Sequence, residues 1–183
     1  MPERHLILGG ARSGKTNHAI TLAASLAAAR NLAVVYVATA EALDDEMRTR
    51  IGRHRAERPP SWQTVEAPSD LAAVLRALPP AIIVVDCLTL WLSNALLPDF
   101  DEAQPNAPLR RWDAERSAVL TWLAQYRGAA LLVSNEVGSG IVPASSLARR
   151  FQDEQGRLNQ DLAAACDCVT LVVAGIAMAI KAH

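Results

Sequence analysis

The sequence predicts a three-layer α/β domain with a mostly parallel central sheet, and three observations predict it. Short apolar runs alternate with longer helical patterns, the order that parallel strands joined by helical crossovers require. Some runs, Ile82-Ile83-Val84-Val85 above all, are apolar at every position, as expected where helices cover both faces of a sheet. The chain has 183 residues, 51% of them hydrophobic and 20% charged, enough to bury a sizeable core and unlike the composition of disorder. One domain over residues 1–183 is expected.

The elements follow in order. His5–Leu8 reads as the first strand, a glycine-rich turn comes next, and Thr16 to Arg30 is an alanine-rich helix. Val34–Ala38 is the second strand and Leu43 to Glu57 a charged helix. Gln63–Glu66 adds a short edge strand, and Ser69 to Leu78 a helix with Ser69 as its N-cap. Ile82–Asp86 is a buried strand. Pro98 to Pro108 holds three prolines between two helical patterns and reads as a surface loop. Leu109 to Tyr126 has helical three-and-four spacing, and Ala130–Ser134 is the next strand. From Ser145 to Cys166 the residues Leu147, Phe151, Leu158, Leu162 and Ala165 form one helical stripe, a face for the sheet or a neighbouring subunit. Val169–Val173 is the last strand. The apolar tract Val169 to Ile180 reads as that buried strand and its turn, because about 12 residues fall well short of a membrane span.

Composition excludes several functions. A net charge of −1 and a pI near 6.4 give no basic excess for holding nucleic acid by bulk charge. The N-terminal apolar run breaks at Gly9-Gly10, too early for a secretory signal, so the cytoplasm is expected. Cys87, Cys166 and Cys168 are too few and too odd in number for a disulfide framework and read as buried thiols.

The strongest motif is Gly-Gly-Ala-Arg-Ser-Gly-Lys-Thr, Gly9 to Thr16, directly after the first strand and directly before the first helix. It satisfies the phosphate-binding loop pattern at every fixed position. Glycines let backbone amides turn inward around phosphate oxygens, lysine reaches the terminal phosphates, and the hydroxyl holds magnesium. The helix behind the loop points its positive end at the anion. Only Lys15 and Lys181 are lysine among 18 basic residues, and one of them stands here, where a compact point charge suits the role. The fold expected is therefore that of the P-loop NTPases, RecA-like in its parallel sheet. Magnesium at Thr16 calls for an acid at the end of a neighbouring strand, and Asp86 ends the run from Ala81 to Val85.

Absences narrow the class. Neither lysine is followed two residues later by aspartate, which excludes the ordinary guanine reader of regulatory GTPases, and no Leu-Ser-Gly-Gly stretch occurs. A small-molecule transferase is favoured. The segment Ala38 to Pro59 carries five arginines after Met47, and in one continuous helix Arg50, His54 and Arg58 share a face at i, i+4 and i+8. That face is either solvated, with Glu46 pairing Arg50, or a set of arginines around a nucleotide that His54 attacks. Without interleaved aromatics it is a poor nucleic-acid platform. The loop Asn135 to Gly140 lies at the sheet edge where ligands bind and is expected to touch a substrate.

Four blocks then carry a family resemblance: Gly9 to Thr16; Tyr36 to Pro59, with Asp44-Asp45-Glu46-Met47 followed by Arg50-Ile51 and His54-Arg55; Val84 to Asn94; and Val133 to Pro143. With the continuation from Leu147 to Asp167, nearly the whole chain resembles the bifunctional adenosylcobinamide kinase and adenosylcobinamide-phosphate guanylyltransferase of cobalamin biosynthesis. The resemblance implies two steps. A phosphate from GTP or ATP passes to adenosylcobinamide, and GMP from GTP then passes through a histidine–GMP intermediate to adenosylcobinamide phosphate. It implies His54 as the nucleophile and Lys15 as its catalytic companion on the phosphates. The implied nucleotide contacts are Gly9, Gly10, Ala11, Arg12, Ser13, Gly14, Lys15, Thr16, Ala38, Thr39, Ala40, Arg55, Ala56, Glu57, Arg58, Glu66 and Asp86, with Mg2+ at Thr16 and Asp86. A corrinoid partner and a homotrimer are implied as well. The alternatives are a monofunctional P-loop kinase and a nucleotide-binding regulatory module.

Overall fold

A computed structural model describes residues 3–41, 44–56 and 58–182; of Glu46, Arg50, Arg53, His54 and Ala56 it describes the backbone alone. A seven-stranded sheet runs through it. The strands are β1 (Glu3–Gly9), β2 (Val34–Ala38), β3 (Gln63–Glu66), β4 (Ile82–Asp86), β5 (Ala129–Asn135), β6 (Cys168–Val173) and β7 (Ile176–Lys181). Their order is β3-β2-β4-β5-β1-β6-β7. Every neighbouring pair is parallel except β6 with β7. The sheet has helices on both faces, which explains the uninterrupted apolar strands.

Alternate residues of the central strands serve different layers. Val35, Val37, Ile83, Val85 and Leu132 meet α3 (Leu71–Ala77), α4 (Leu88–Leu96), α5 (Arg110–Gln125) and α6 (Ser146–Ala165). Tyr36, Ile82, Val84, Leu131 and Val133 face the other way, toward α1 (Lys15–Arg30), whose Ala19 and Ala23 are fully buried one turn apart. Full burial of one Val, Leu or Ile stabilises the fold by about 1.5–3 kcal/mol, so these two layers are the main source of stability. Trp91 of α4 and Trp112 of α5 pack with ring centroids 4.7 Å apart.

The stripe on α6 packs inside the molecule. Leu158 and Leu162 are fully buried, and Leu147, Phe151 and Ala165 lie against the same cluster. The helix is capped as its sequence suggests, the Ser145 hydroxyl accepting from the Ala148 amide at 3.1 Å. The helix after β3 departs from expectation. Asp70, at φ +50°, takes the N-cap position in place of Ser69, and no side chain of its own segment caps it. Glu115 of α5 accepts from the Ala72 amide at 2.8 Å, so this helix end is satisfied from a neighbouring element.

Two further corrections concern apolar sequence. Leu88 to Leu96 forms α4, an element the periodicity did not single out, because Leu88, Trp91, Leu92 and Leu96 are buried together with Thr89. The tract from Val169 to Ile180 is two strands rather than one buried strand and its turn. Ala174 and Gly175, at φ +51° and +79°, close a two-residue hairpin, and β7 returns antiparallel with Ile176, Met178 and Ile180 exposed. No helix among the described residues is long and apolar enough to cross a membrane. All three cysteines are free, but only Cys166 is buried as expected, Cys87 and Cys168 being half-buried; burial pushes the Cys166 thiol up to about 12 and the Cys87 thiol up to about 11.

The charged helix α2 spans Asp45–Ala56 and leaves both Arg58 and the unit of Pro59 and Pro60 outside it. Arg58 is therefore not the third member of a helical face with Arg50 and His54. Proline disfavours helical backbone in the residue before it, which sets this end.

Candidate active site

The loop from Gly9 to Gly14 joins the C-terminal end of β1 to α1. A Cβ at Gly9 would lie 2.4 Å from Ser13 Oγ and 2.5 Å from the Val172 carbonyl, so no other residue fits there. Gly14 has φ +95° and Arg12 φ +56°, the left-handed turns that curl the loop. Ser13 N–H donates to the Gly10 carbonyl at 3.3 Å, and the Gly175 amide donates to the Ser13 carbonyl at 2.8 Å, which ties the loop to the β6–β7 turn. Helix α1 opens with no side-chain cap and no acidic residue in its first turn. Its end suits an anion. Lys15, only 9% exposed, reaches back so that Nζ donates to the Gly10 carbonyl at 2.9 Å, which holds the ammonium across the loop.

Asp86 stands where the strand reading puts it. Its Oδ2 accepts from Thr16 Oγ1 at 2.9 Å and from the Tyr36 hydroxyl at 2.5 Å. Thus residues 70 apart in sequence, one behind the phosphate loop and one at the end of β4, share a contact. A hydroxyl beside a carboxylate is an all-oxygen donor set, and Mg2+ is characteristically held by one or two such groups together with substrate phosphates. These residues fit that ion. Among the described residues no larger cluster of metal-ligating side chains occurs.

The sheet register sets other predicted positions abreast. Ala38 pairs with Asp86 on one side and with Glu66 on the other. Thr39 is fully buried, and its hydroxyl is committed to the neighbouring chain segment: it accepts from the Cys87 amide at 2.9 Å and donates to the Cys87 carbonyl at 2.6 Å. Its role is to fix the β4–α4 junction. Ala40 follows it at the same edge, and Arg55 is exposed on α2. Arg58 lies with its guanidinium 3.5 Å from the centre of the Tyr36 ring. The side chains of His54 and Ala56 and the whole of Glu57 are outside the described residues.

Sequence reasoning missed three residues of this region. Tyr36 reads as core in an apolar strand, yet burial first and Asp86 second raise its phenol pKa, keeping it a donor to the carboxylate. Asn94, an amide in an apolar helix, donates to the Thr39 carbonyl at 2.9 Å and the Pro68 carbonyl at 3.1 Å. Asn159 donates to the Asn135 carbonyl at 3.0 Å and so holds the end of β5, from which Glu136 N–H donates to the Gly9 carbonyl at 3.2 Å. For Tyr36 and Asn94 the only available signal was a polar group within an apolar pattern, and Asn159, among polar neighbours on α6, gave none. Beyond β5 the loop exposes Ile141 and Val142. Of two cavities of about 360 Å3, one lies beside Asp70, Trp91, Asn94 and Glu115 and one beside Phe100 and Pro105; neither is lined by the phosphate loop or Asp86, so chemistry and not concavity marks the site.

Residues 5–180 match the family described as cobinamide kinase / cobinamide phosphate guanyltransferase. The chain belongs to this family. Its activities are accordingly those of a cobinamide kinase and a cobinamide phosphate guanylyltransferase. The bifunctional adenosylcobalamin biosynthesis protein CobP of Pseudomonas aeruginosa is 50% identical over 180 residues, covering 97% of each chain. The bifunctional adenosylcobalamin biosynthesis protein CobU of Escherichia coli is 41% identical, over 96% of this chain and 98% of that one. Among solved structures, flagellar accessory protein FlaH of Methanocaldococcus jannaschii aligns with a TM-score of 0.53 at 12% identity, over 98% of this chain and 78% of that chain. A solved ATPase domain aligns with a TM-score of 0.50 at 13% identity, over 91% and 68% of the two chains. These likenesses bear on the fold alone, and they bear out the P-loop NTPase architecture expected from the loop and the parallel sheet.

Proposed function

We propose that the two family activities share one phosphate cradle and proceed in sequence on a corrinoid. In the first, the aminopropanol hydroxyl of adenosylcobinamide attacks the γ-phosphorus of GTP or ATP; the new O–P bond replaces the bond to the β-phosphate, and the hydroxyl proton is lost. In the second, a ring nitrogen of His54 attacks the α-phosphorus of GTP and pyrophosphate leaves. The phosphate of adenosylcobinamide phosphate then attacks the histidine–GMP phosphorus, freeing the ring and giving adenosylcobinamide-GDP.

The observation that carries this reading is the Thr16–Asp86 contact, which joins the phosphate loop to a carboxylate beside the edge from which the arginine segment departs. The loop amides and Lys15 bind the phosphates and neutralise their charge. Arg55 and Arg58 come from the segment that carries His54. Thr16 and Asp86 would hold Mg2+, which when bound screens the phosphate oxygens and stabilises the charge of the leaving group. The loop after β5 supplies contacts to the corrinoid or the nucleotide. The exposed Ile176, Met178 and Ile180 of β7 offer apolar surface of the kind that oligomers cover, which supports a homotrimer; the enzyme works in the cytoplasm.

Incubation with GTP, Mg2+ and adenosylcobinamide phosphate should release pyrophosphate in step with adenosylcobinamide-GDP. Release of inorganic phosphate alone would instead mark a nucleotide-hydrolysing regulatory module. For the metal, Asp86→Asn is expected to reduce magnesium-dependent turnover more than nucleotide affinity measured without metal. An equal loss of both, with a lowered melting temperature by circular dichroism, would make Asp86 a folding residue only.

A further inference from the structure

Among the described residues Tyr36 is the one phenol buried in the centre of the sheet, 1% exposed, on a strand whose other buried residues are valines. A phenylalanine would fill the same volume, and a buried hydroxyl is costly unless it finds a partner. Its partner is Asp86 Oδ2, the oxygen that also accepts from Thr16. The two hydroxyls approach one carboxylate oxygen from different elements, β2 and α1, and neither takes up Oδ1.

The other end of the interaction is the ring. Arg58 lies over it at 3.5 Å, and Arg58 Nη1 donates to Thr64 Oγ1 at 3.4 Å, Thr64 being the β3 residue paired with Tyr36. Arg58 Nε is buried without a partner among the described residues. The guanidinium is thus held mainly by its stack on the phenol. One side chain touches both the metal-linked carboxylate and the last arginine of the segment that carries His54.

We propose that Tyr36 is a positioning residue for the guanylyl-transfer site: its hydroxyl sets the Asp86 carboxylate for the cation, and its ring seats Arg58 for the nucleotide. This rests on the reading of Asp86 as the metal-linked carboxylate and of Arg58 as a nucleotide contact. Two substitutions separate the two tasks. Tyr36→Phe keeps the ring and removes the hydroxyl, whereas Tyr36→Leu removes both.

The test is the affinity of the full-length protein for a non-hydrolysable GTP analogue by titration calorimetry, with and without Mg2+. Tyr36→Phe should keep the metal-free affinity and lose roughly tenfold of the gain that Mg2+ gives, the factor carried by one hydrogen bond to a charged group. In the Asp86→Asn background it should have no further effect. Tyr36→Leu should in addition weaken the metal-free affinity, because Arg58 loses its seat. A full magnesium gain in Tyr36→Phe, with that gain lost in Asp86→Asn, overturns the proposal and leaves the metal site standing. A full gain in Asp86→Asn overturns the metal reading itself and the proposal with it. Equal metal-free affinities in the Leu and Phe variants overturn the seating of Arg58.

Discussion

A His54→Ala variant incubated with α-labelled GTP and magnesium is expected to retain no label after denaturation, whereas the unaltered chain retains it. The attack places the α-phosphate on a ring nitrogen, so γ-labelled GTP leaves nothing behind by this route in either protein. The bond is a phosphoramidate, and the retained label should be lost in acid and survive in base. The same variant should fail entirely in guanylyl transfer, because a covalent intermediate without its nucleophile has no partial form. Phosphorylation of the corrinoid hydroxyl needs no protein nucleophile and should persist. Label retained by the variant would move the nucleophile elsewhere, with His18 first to be tested, since it sits one turn behind the phosphate loop and its amide bonds the Gly14 carbonyl.

Lys15→Ala is expected to impair both half-reactions, each by on the order of a hundredfold or more in turnover. Both reactions draw on a triphosphate, and the ammonium lies across the loop that would receive it, anchored on the Gly10 carbonyl. Separate assays with adenosylcobinamide and with adenosylcobinamide phosphate check the claim. Full rate in either assay would mean that the two reactions do not share this loop.

The strands β2 and β4 were legible because each is a short β-branched run closed by a polar residue, Thr39 after β2 and Asp86 at the end of β4, and a parallel sheet buried on both faces leaves few other uses for such runs. The phosphate loop was legible because its chemistry demands particular residues at fixed spacing. Asp86 followed from the loop, since a strand end is a position readable without tertiary knowledge. Tyr36 was not legible. An aromatic residue in an apolar strand is ordinary core, and only the sheet register and the chain reversal at Pro59 bring residues 36, 58 and 86 together. Spacing alone groups Arg58 with Arg50 and His54, although a helix read from Leu43 to Glu57 already stops short of it, as α2 does at Ala56. Helix α4 was hidden because burial on several sides erases the polar face that periodicity detects. In β7 the difficulty was reversed, since an exposed apolar edge strand imitates a buried one in composition, and the Ala174-Gly175 reversal lacks the commoner asparagine or aspartate ahead of its glycine.

The phosphate loop is coded near the start of the chain, yet its frame comes from the other end. Strand β1 lies between β5 and β6, whose residues begin at Ala129 and Cys168, and the Ser13 carbonyl is held by Gly175. A ribosome therefore delivers the glycine-rich segment long before anything exists to brace it. Nucleotide stabilises only the folded state and so gives a half-made chain no support. Contacts of such long sequence separation also fold slowly. The loop can take its braced shape only once β6 and the turn at Gly175 have been made.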